Sequence, residues 1–336
     1  MVISTGDILP VRRLVMFADT HVGHSRGLSL PEFHYGDGGG YIANDIQRAL
    51  FELYKRSSQY TKWRNPDVAV FVGDAIDGSG RRSFGKEQRG LSRKAQISHA
   101  TSLLSMWGAK KFYFVRGTEY HAEAEGESVE DQVAKELGAV RVPAWASGQA
   151  EEGEEPYSGE HLFLDIEGVG FHFAHHLSTS SSNHYKSTAI TRETCLAEDY
   201  AVRFLRDEMQ GLTPNKTKVV VRAHIHRFQQ VTDSSMTGIV LPCWEAQTKY
   251  MVRKGVFTLV PEIGFVGMEI RGNAFTIEAH TWKCHQVQAV PYARVEFSPG
   301  GELEPEPSGR PASGEAVGSR VDGGRQKRRP KVLLTR

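Results

Sequence analysis

Five short stretches of this chain are almost wholly apolar: Leu14–Ala18 (LVMFA), Val68–Val72 (VAVFV), Phe112–Val115 (FYFV), Phe171–Ala174 (FHFA) and Val219–Val221 (VVV). Continuous apolarity in short β-branched and aromatic runs marks strands buried on both faces, whereas strict alternation marks a sheet with one wet face. Such strands need cover above and below, and helical patterns lie between them. Tyr41–Lys62 sets Ile42, Ile46, Ala49, Leu50 and Leu53 on one face, and Arg93–Trp107 repeats the pattern. Ser128 with Asp131 three residues on resembles a capping-box start for a helix to about Leu137, stopped by Gly138. Thr188–Met209 reads as a longer helix before Gly211 and Pro214.

An acidic loop, Ala150–Ser158, precedes a further strand at His161–Ile166, and the C-terminal third is rich in strands. The expected class is therefore α/β, a sandwich of layered sheets, forming one domain over residues 1–297. From Ser298 the chain is Gly, Pro, Glu and Ser without period, ending GGRQKRRPKVLLTR. That composition buries too little apolar area to offset its ordering entropy, so residues 298–336 are expected to be a disordered tail. The basic run Arg325–Arg336 has two readings, a salt-sensitive contact to nucleic acid or a solubilising end.

With 41 Lys and Arg against 40 Asp and Glu, the net charge of +1 gives no global pull toward nucleic acid or an anionic membrane. The three cysteines, Cys195, Cys243 and Cys284, are dispersed, which fits neither a disulfide framework nor a thiolate zinc knuckle and suits a reducing compartment. No stretch nears the roughly 18–20 apolar residues of a spanning helix, and the N-terminus lacks the apolar run of a leader, so a cytoplasmic location and no membrane partner are expected.

Function is written at the strand ends. The first strand is followed by Asp19-Thr-His21, the second by Gly-Asp74-Ala-Ile-Asp77, and the third by Arg116-Gly117-Thr118-Glu119-Tyr-His121. The fourth is followed by His175-His176, and the fifth by Ala-His224-Ile-His226. Ligand crevices of open α/β sheets form just beyond the carboxyl ends of strands. One D-x-H or H-x-H arises easily by chance; five carboxylate and imidazole clusters after five like strands do not. In extended backbone, residues i and i+2 project to the same side, so Asp19/His21 and His224/His226 each pinch one region of space. Imidazole and carboxylate without thiolate favour Mn²⁺, Fe or Zn²⁺. Six or more ligands exceed the four of a closed zinc site, and two ions sharing a bridging carboxylate accommodate them.

The motif order D-x-H, GD-x-x-D, G-T-E-x-H, H-H, x-H-x-H resembles the calcineurin-like metallophosphoesterase superfamily over about Arg12 to Lys249. The resemblance implies a four-layer α/β/β/α sandwich with a binuclear centre at the strand ends. It assigns Asp19, His21 and His226 to a first ion, Asp74 to the bridge, and His175 and His224 to a second. His175 is preferred to His176 as the first histidine leaving its strand. The family's third motif usually reads G-N-H-D/E. Here the Asn is missing, so Thr118, Glu119 or water takes that place, and His121 becomes the candidate catalytic imidazole.

The implied mechanism is direct hydrolysis of a phosphate ester by a water bridging the two metals and aimed in line at phosphorus. Phosphodiesters, nucleic acid or nucleotide, are favoured over phosphomonoesters or phosphoproteins because the phosphatase pattern G-D-x-x-D-R-G is broken after Asp77 by Gly78-Ser79. A rival reading is a silenced metal-binding module that docks nucleic acid or a protein partner.

Other residues carry two readings each. Asp77 orients a ligand or caps its loop. His184 touches substrate phosphate or is plain surface, as are His24 and His34. Arg116 and Arg222 clamp phosphate or form ion pairs at strand ends. Glu245, in Pro-Cys-Trp-Glu, is read as structural, as are His99, His161, His172, His280 and His285. The glycine-rich loop Gly36–Gly40 lacks the G-K-[ST] ending of a P-loop.

Overall fold

The computed structural model describes residues 9–34, 39–79, 85, 87–119, 123–124, 127–143, 155–178, 187–204, 217–233, 235–255, 260–287 and 331–335. Its strands are β1 (Arg12–Phe17), β2 (Glu32–His34), β3 (Gly40–Ile42), β4 (Val68–Val72), β5 (Lys111–Val115), β6 (Glu123–Ala124), β7 (Glu127–Ser128) and β8 (Ser158–Gly159). They continue as β9 (His161–Ile166), β10 (Val169–Ala174), β11 (Thr217–Arg222), β12 (Gln229–Thr232), β13 (Thr237–Val240), β14 (Glu262–Arg271), β15 (Ala274–Val287) and β16 (Lys331–Thr335). The helices are α1 (Asp45–Ser58), α2 (Arg93–Leu104), α3 (Val129–Glu136), α4 (Thr188–Phe204) and α5 (Lys249–Gly255).

Two large sheets result, ordered β16-β15-β14-β1-β4-β5-β8 and β12-β13-β11-β10-β9. The centre of each is parallel: β1, β4 and β5 in the first, β10, β11 and β13 in the second. Antiparallel strands close the flanks, β14 beside β1, β9 beside β10 and β12 beside β13.

The apolar runs divide by parity, as strands buried on both faces must. Leu14 and Met16 of β1 and Val70 and Val72 of β4 face a core shared with Phe171, Phe173, Val219 and Val221 of the other sheet. Their alternates Val15, Phe17, Ala69 and Phe71 face a second core with Leu50 and Tyr54 of α1, Ile97 and Leu103 of α2, and Val133 of α3. Val220 and Val240 turn outward onto Ile190 of α4 in a third. Three cores between four layers make the α/β/β/α sandwich. Phe17 anchors the larger helical side, with rings of Tyr54, Phe71, Trp107 and Phe112 within 5.2–6.4 Å. Each such buried side chain contributes about 1.5–3 kcal/mol.

Two expectations shift. The helix expected from Tyr41 starts at Asp45, because Asn44 caps it: its side chain accepts from Ile46 and Gln47 N–H, and Gln47 reaches back to Asn44 N–H. Ile42, placed on the buried face by helical spacing, lies instead in β3 and is 68% exposed. At the other end, residues 298–330 of the expected tail lie outside the described residues, whereas Lys331–Thr335 pair with β15 as an edge strand. The sequence KVLLT within the basic run has the β-branched and apolar composition that a strand requires. Among the described residues no helix is long and apolar enough to cross a membrane.

Candidate metal centre

Parallel strands β1, β4, β5, β10 and β11 are each followed within a few residues by polar side chains on one rim, and the chain crosses that rim in tight, hydrogen-bonded loops. Asp19 N–H donates to the Gly73 carbonyl (3.0 Å), His21 to Asp74 (3.1 Å) and Val22 to Ala75 (3.1 Å), so the β1 and β4 loops continue side by side past their strands. Of the seven non-glycine residues with positive φ among the described residues, five are Asp19 (54°), His21 (41°), Asp74 (57°), His224 (72°) and His226 (55°). Left-handed backbone costs an L-residue about 1–2 kcal/mol, and such strain concentrates where function fixes a side chain.

The side chains gather in two groups. Ligand atoms of Asp19, His21 and His226 all lie within 4.8 Å of one another, and so do those of Asp74, His175 and His224. His21 Nε2 and His226 Nε2 face each other at 3.3 Å. The groups adjoin: Asp74 Oδ2 is 3.2 Å from His175 Nε2 and 3.8 Å from His21 Nε2. Asp19 Oδ1 is buried and receives no hydrogen bond of good geometry, although Nε2 of His226 (3.2 Å), His21 (3.8 Å) and His175 (3.9 Å) converge on it. His175 Nδ1 donates to the Val72 carbonyl at 2.7 Å, which leaves its Nε2 lone pair aimed into the cluster.

Electrostatics follow from packing carboxylates and imidazoles away from water. Burial opposes the charge on His175, but Asp74 and Asp19 outweigh it and raise its pKa to about 9. His21 likewise rises to about 9 against burial, under Glu245, Asp19 and Asp74. Burial also raises Asp19, yet His226, His21 and His175 bring it below the usual carboxylate range. His224 falls to about 4, through burial and then the neighbouring His175. Where no cation is present, protons on imidazole offset the buried carboxylates. Converging ring nitrogens, a buried carboxylate oxygen without a proper donor and an all N/O donor set fit divalent cations.

A scan against protein-family models found no match, and no curated protein matches. Among solved structures the chain is similar to Chaetomium thermophilum Vps29, at 10% identity and TM-score 0.40 over 82% of this chain and 88% of that one. It is also similar to Vps29 complexed with zinc from Entamoeba histolytica, at 13% identity and TM-score 0.37 over 82% and 94%. A third is a predicted phosphoesterase from Streptococcus pneumoniae, at 9% identity and TM-score 0.32 over 81% and 91%.

The remaining expected site residues fall out as follows. Thr118 is the third-motif residue within reach of the second group: its N–H and hydroxyl donate to Asp74 (2.6 and 3.1 Å), and the hydroxyl is 3.3 Å from His224 Nδ1. Glu119 is exposed. His121 and His184 lie outside the described residues. Asp77 is buried and accepts from Gln88 Nε2 at 3.2 Å. Arg116 is buried, with Nε donating to Ser158 Oγ at 3.3 Å. Arg222 pairs with Glu193 at 2.8 Å, which is its structural reading. His176 is exposed where His175 is buried, its ring 5.2 Å from that of His224.

Two residues read as bland are otherwise placed. His24 is buried rather than at the surface, and Glu245, after parallel strand β13, lies 2.9 Å from it. The rule that found the other clusters, polar residues after a buried strand, also reaches Glu245; a lone acid among Cys, Trp and Ala gave it no motif.

Proposed function

We propose that this chain is a binuclear metal-dependent phosphoesterase, with phosphodiesters of nucleic acids or nucleotides ahead of phosphomonoesters. The observation that supports it most is one carboxylate, Asp74, set between two ligand groups at the rim of parallel strands. Asp19, His21 and His226 would hold one ion and His175 and His224 the other, with Asp74 shared; Mn²⁺, Fe and Zn²⁺ suit these donors. Two such cations supply a nucleophile from water at neutral pH and a clamp on phosphoryl oxygens.

The chain's own part is to hold these donors. Val72 fixes the His175 tautomer, Thr118 holds both Asp74 oxygens, and His224 N–H donates to Asp19 Oδ2 at 3.3 Å. A proton for the leaving alcohol needs an imidazole on the open side. His121 is the motif's candidate, and exposed His176 beside His224 is a second. The dispersed cysteines suit a cytoplasmic setting for the reaction.

Bis-p-nitrophenyl phosphate and p-nitrophenyl phosphate, each with Mn²⁺, test the reading. Diester turnover is expected, and Asp74→Asn should bring it to background. The second reading, a metal-binding module without turnover, is favoured by Thr118 in the place of the family's Asn. Ion uptake with neither ester cleaved would select that reading, and no ion uptake would overturn both.

A further inference from the structure

The segment after β13 brings to this rim a carboxylate that none of the five motifs contains. Trp244 N–H donates to the Asp19 carbonyl (3.0 Å) and Ala246 N–H to the Arg26 carbonyl (2.9 Å). Glu245 is thereby pinned against the loop that carries Asp19, His21 and His24. Its side chain is 4% exposed residue-wide and sits among imidazoles: Oε1 is 2.9 Å from His24 Nδ1, and Oε2 is 3.5 Å from His226 Nδ1 and 4.0 Å from His21 Nε2. His24 is enclosed in turn, with Nε2 3.8 Å from Glu87 Oε2.

The two nitrogens of His226 face opposite ways. Nε2 points at Asp19 Oδ1 and His21 Nε2, whereas Nδ1 is buried and lies 3.5 Å from the Glu245 carboxylate, with the Cys243 thiol also beside the side chain. A carboxylate behind an imidazole whose other nitrogen faces a cation fixes the ring's tautomer and plane and makes the inner nitrogen a better donor. A buried carboxylate survives only where partners offset its lost hydration, and here two of its three partners belong to one ligand group.

We infer that Glu245 is a positioning residue for the ion held by Asp19, His21 and His226: it orients His226 from behind, adds negative charge beside His21, and is itself held by His24. This rests on reading the cluster as a metal centre. It goes further, because it makes the two ion sites unequal in their support.

Calorimetric titration of the metal-free full chain with Zn²⁺, alongside circular dichroism and thermal melting, tests it. Two classes of site are expected in the unaltered protein. Glu245→Gln should weaken by about 10–100-fold the class that Asp19→Asn removes, and leave the other class in place. Glu245→Asp should recover part of that affinity, and His24→Asn should weaken the same class by a smaller factor. If Glu245→Gln lowers the melting temperature but leaves both affinities unchanged, Glu245 is only an ion-pair partner and the inference is overturned. Should Glu245→Gln fail to fold, His24→Asn decides: unchanged affinities overturn the inference, and selective weakening sustains it. Absence of zinc uptake by the unaltered protein would overturn the metal-centre reading itself.

Discussion

At Gly117 a Cβ would run into the main chain and carboxylate of Asp74, and at Gly73, with φ of 81°, into the His175 ring and Gly117. Both glycines are demanded by the close approach of loops that bring ligands together. Gly117→Ala must therefore displace Asp74 or Thr118, and its expected cost is about 1–3 kcal/mol of stability, as for other overpacked sites. Diester turnover should fall by a larger factor than the melting temperature implies; equal turnover per folded molecule would show that the approach is not needed. Asp19, His21, His224 and His226 were legible because carboxylates and imidazoles after buried strands are informative together, though not through extended-chain spacing: all four have positive φ, and His224 and His226 enter different ligand groups. Thr118 was less so, since a hydroxyl's reach depends on where the loop turns, and nothing local fixes that. Glu245 was missed because its imidazole partners all precede it at unrelated distances, two of them more than 200 residues back and the third 19.

The elements were legible to the extent that their burial is two-faced. Val68–Val72 and His161–Ile166 match the expected strands end for end, and Ser128 caps α3 through Asp131 N–H, at the place its spacing indicated. The start of α1 was misjudged because apolar spacing extends past the cap. Asn44 ends the helix there, and its Nδ2 also donates to the Ser25 carbonyl at 2.8 Å, tying α1 to the loop of His21 and His24. Asn44→Ala should cost about 1–2 kcal/mol, more than Asn44→Ser, which keeps the cap but loses the Ser25 contact. Chemical denaturation of the three proteins checks the order. The edge strand β16 pairs across a long span of sequence, so no local pattern announces it.

For the whole molecule, acid stability follows from a histidine remote from the candidate ligands. His99 Nε2 accepts the Leu30 N–H at 2.8 Å, and the ring stacks on Phe33 at 4.4 Å. Burial lowers its pKa to about 4, against about 6.5 in an unfolded chain. The fold thus holds His99 neutral. Its contribution is complete above about pH 6.5 and is lost as pH falls toward 4, to an extent of order 2–3 kcal/mol. His99→Gln should flatten the fall in melting temperature across that window; an unchanged slope would place the acid sensitivity elsewhere.

The crossed bonds between the β1 and β4 loops have a consequence for motion. Loops usually open locally, and their amide protons are the first to trade with solvent. Here Asp19, His21 and Val22 donate to Gly73, Asp74 and Ala75 from beneath buried side chains, so those protons have no local route out. In deuterated buffer they should be retained as long as those of Val15 and Phe71 at the centre of the sheet. The rim that carries the ligands should then be the slowest-exchanging loop region among the described residues, opening only when the sandwich itself comes apart.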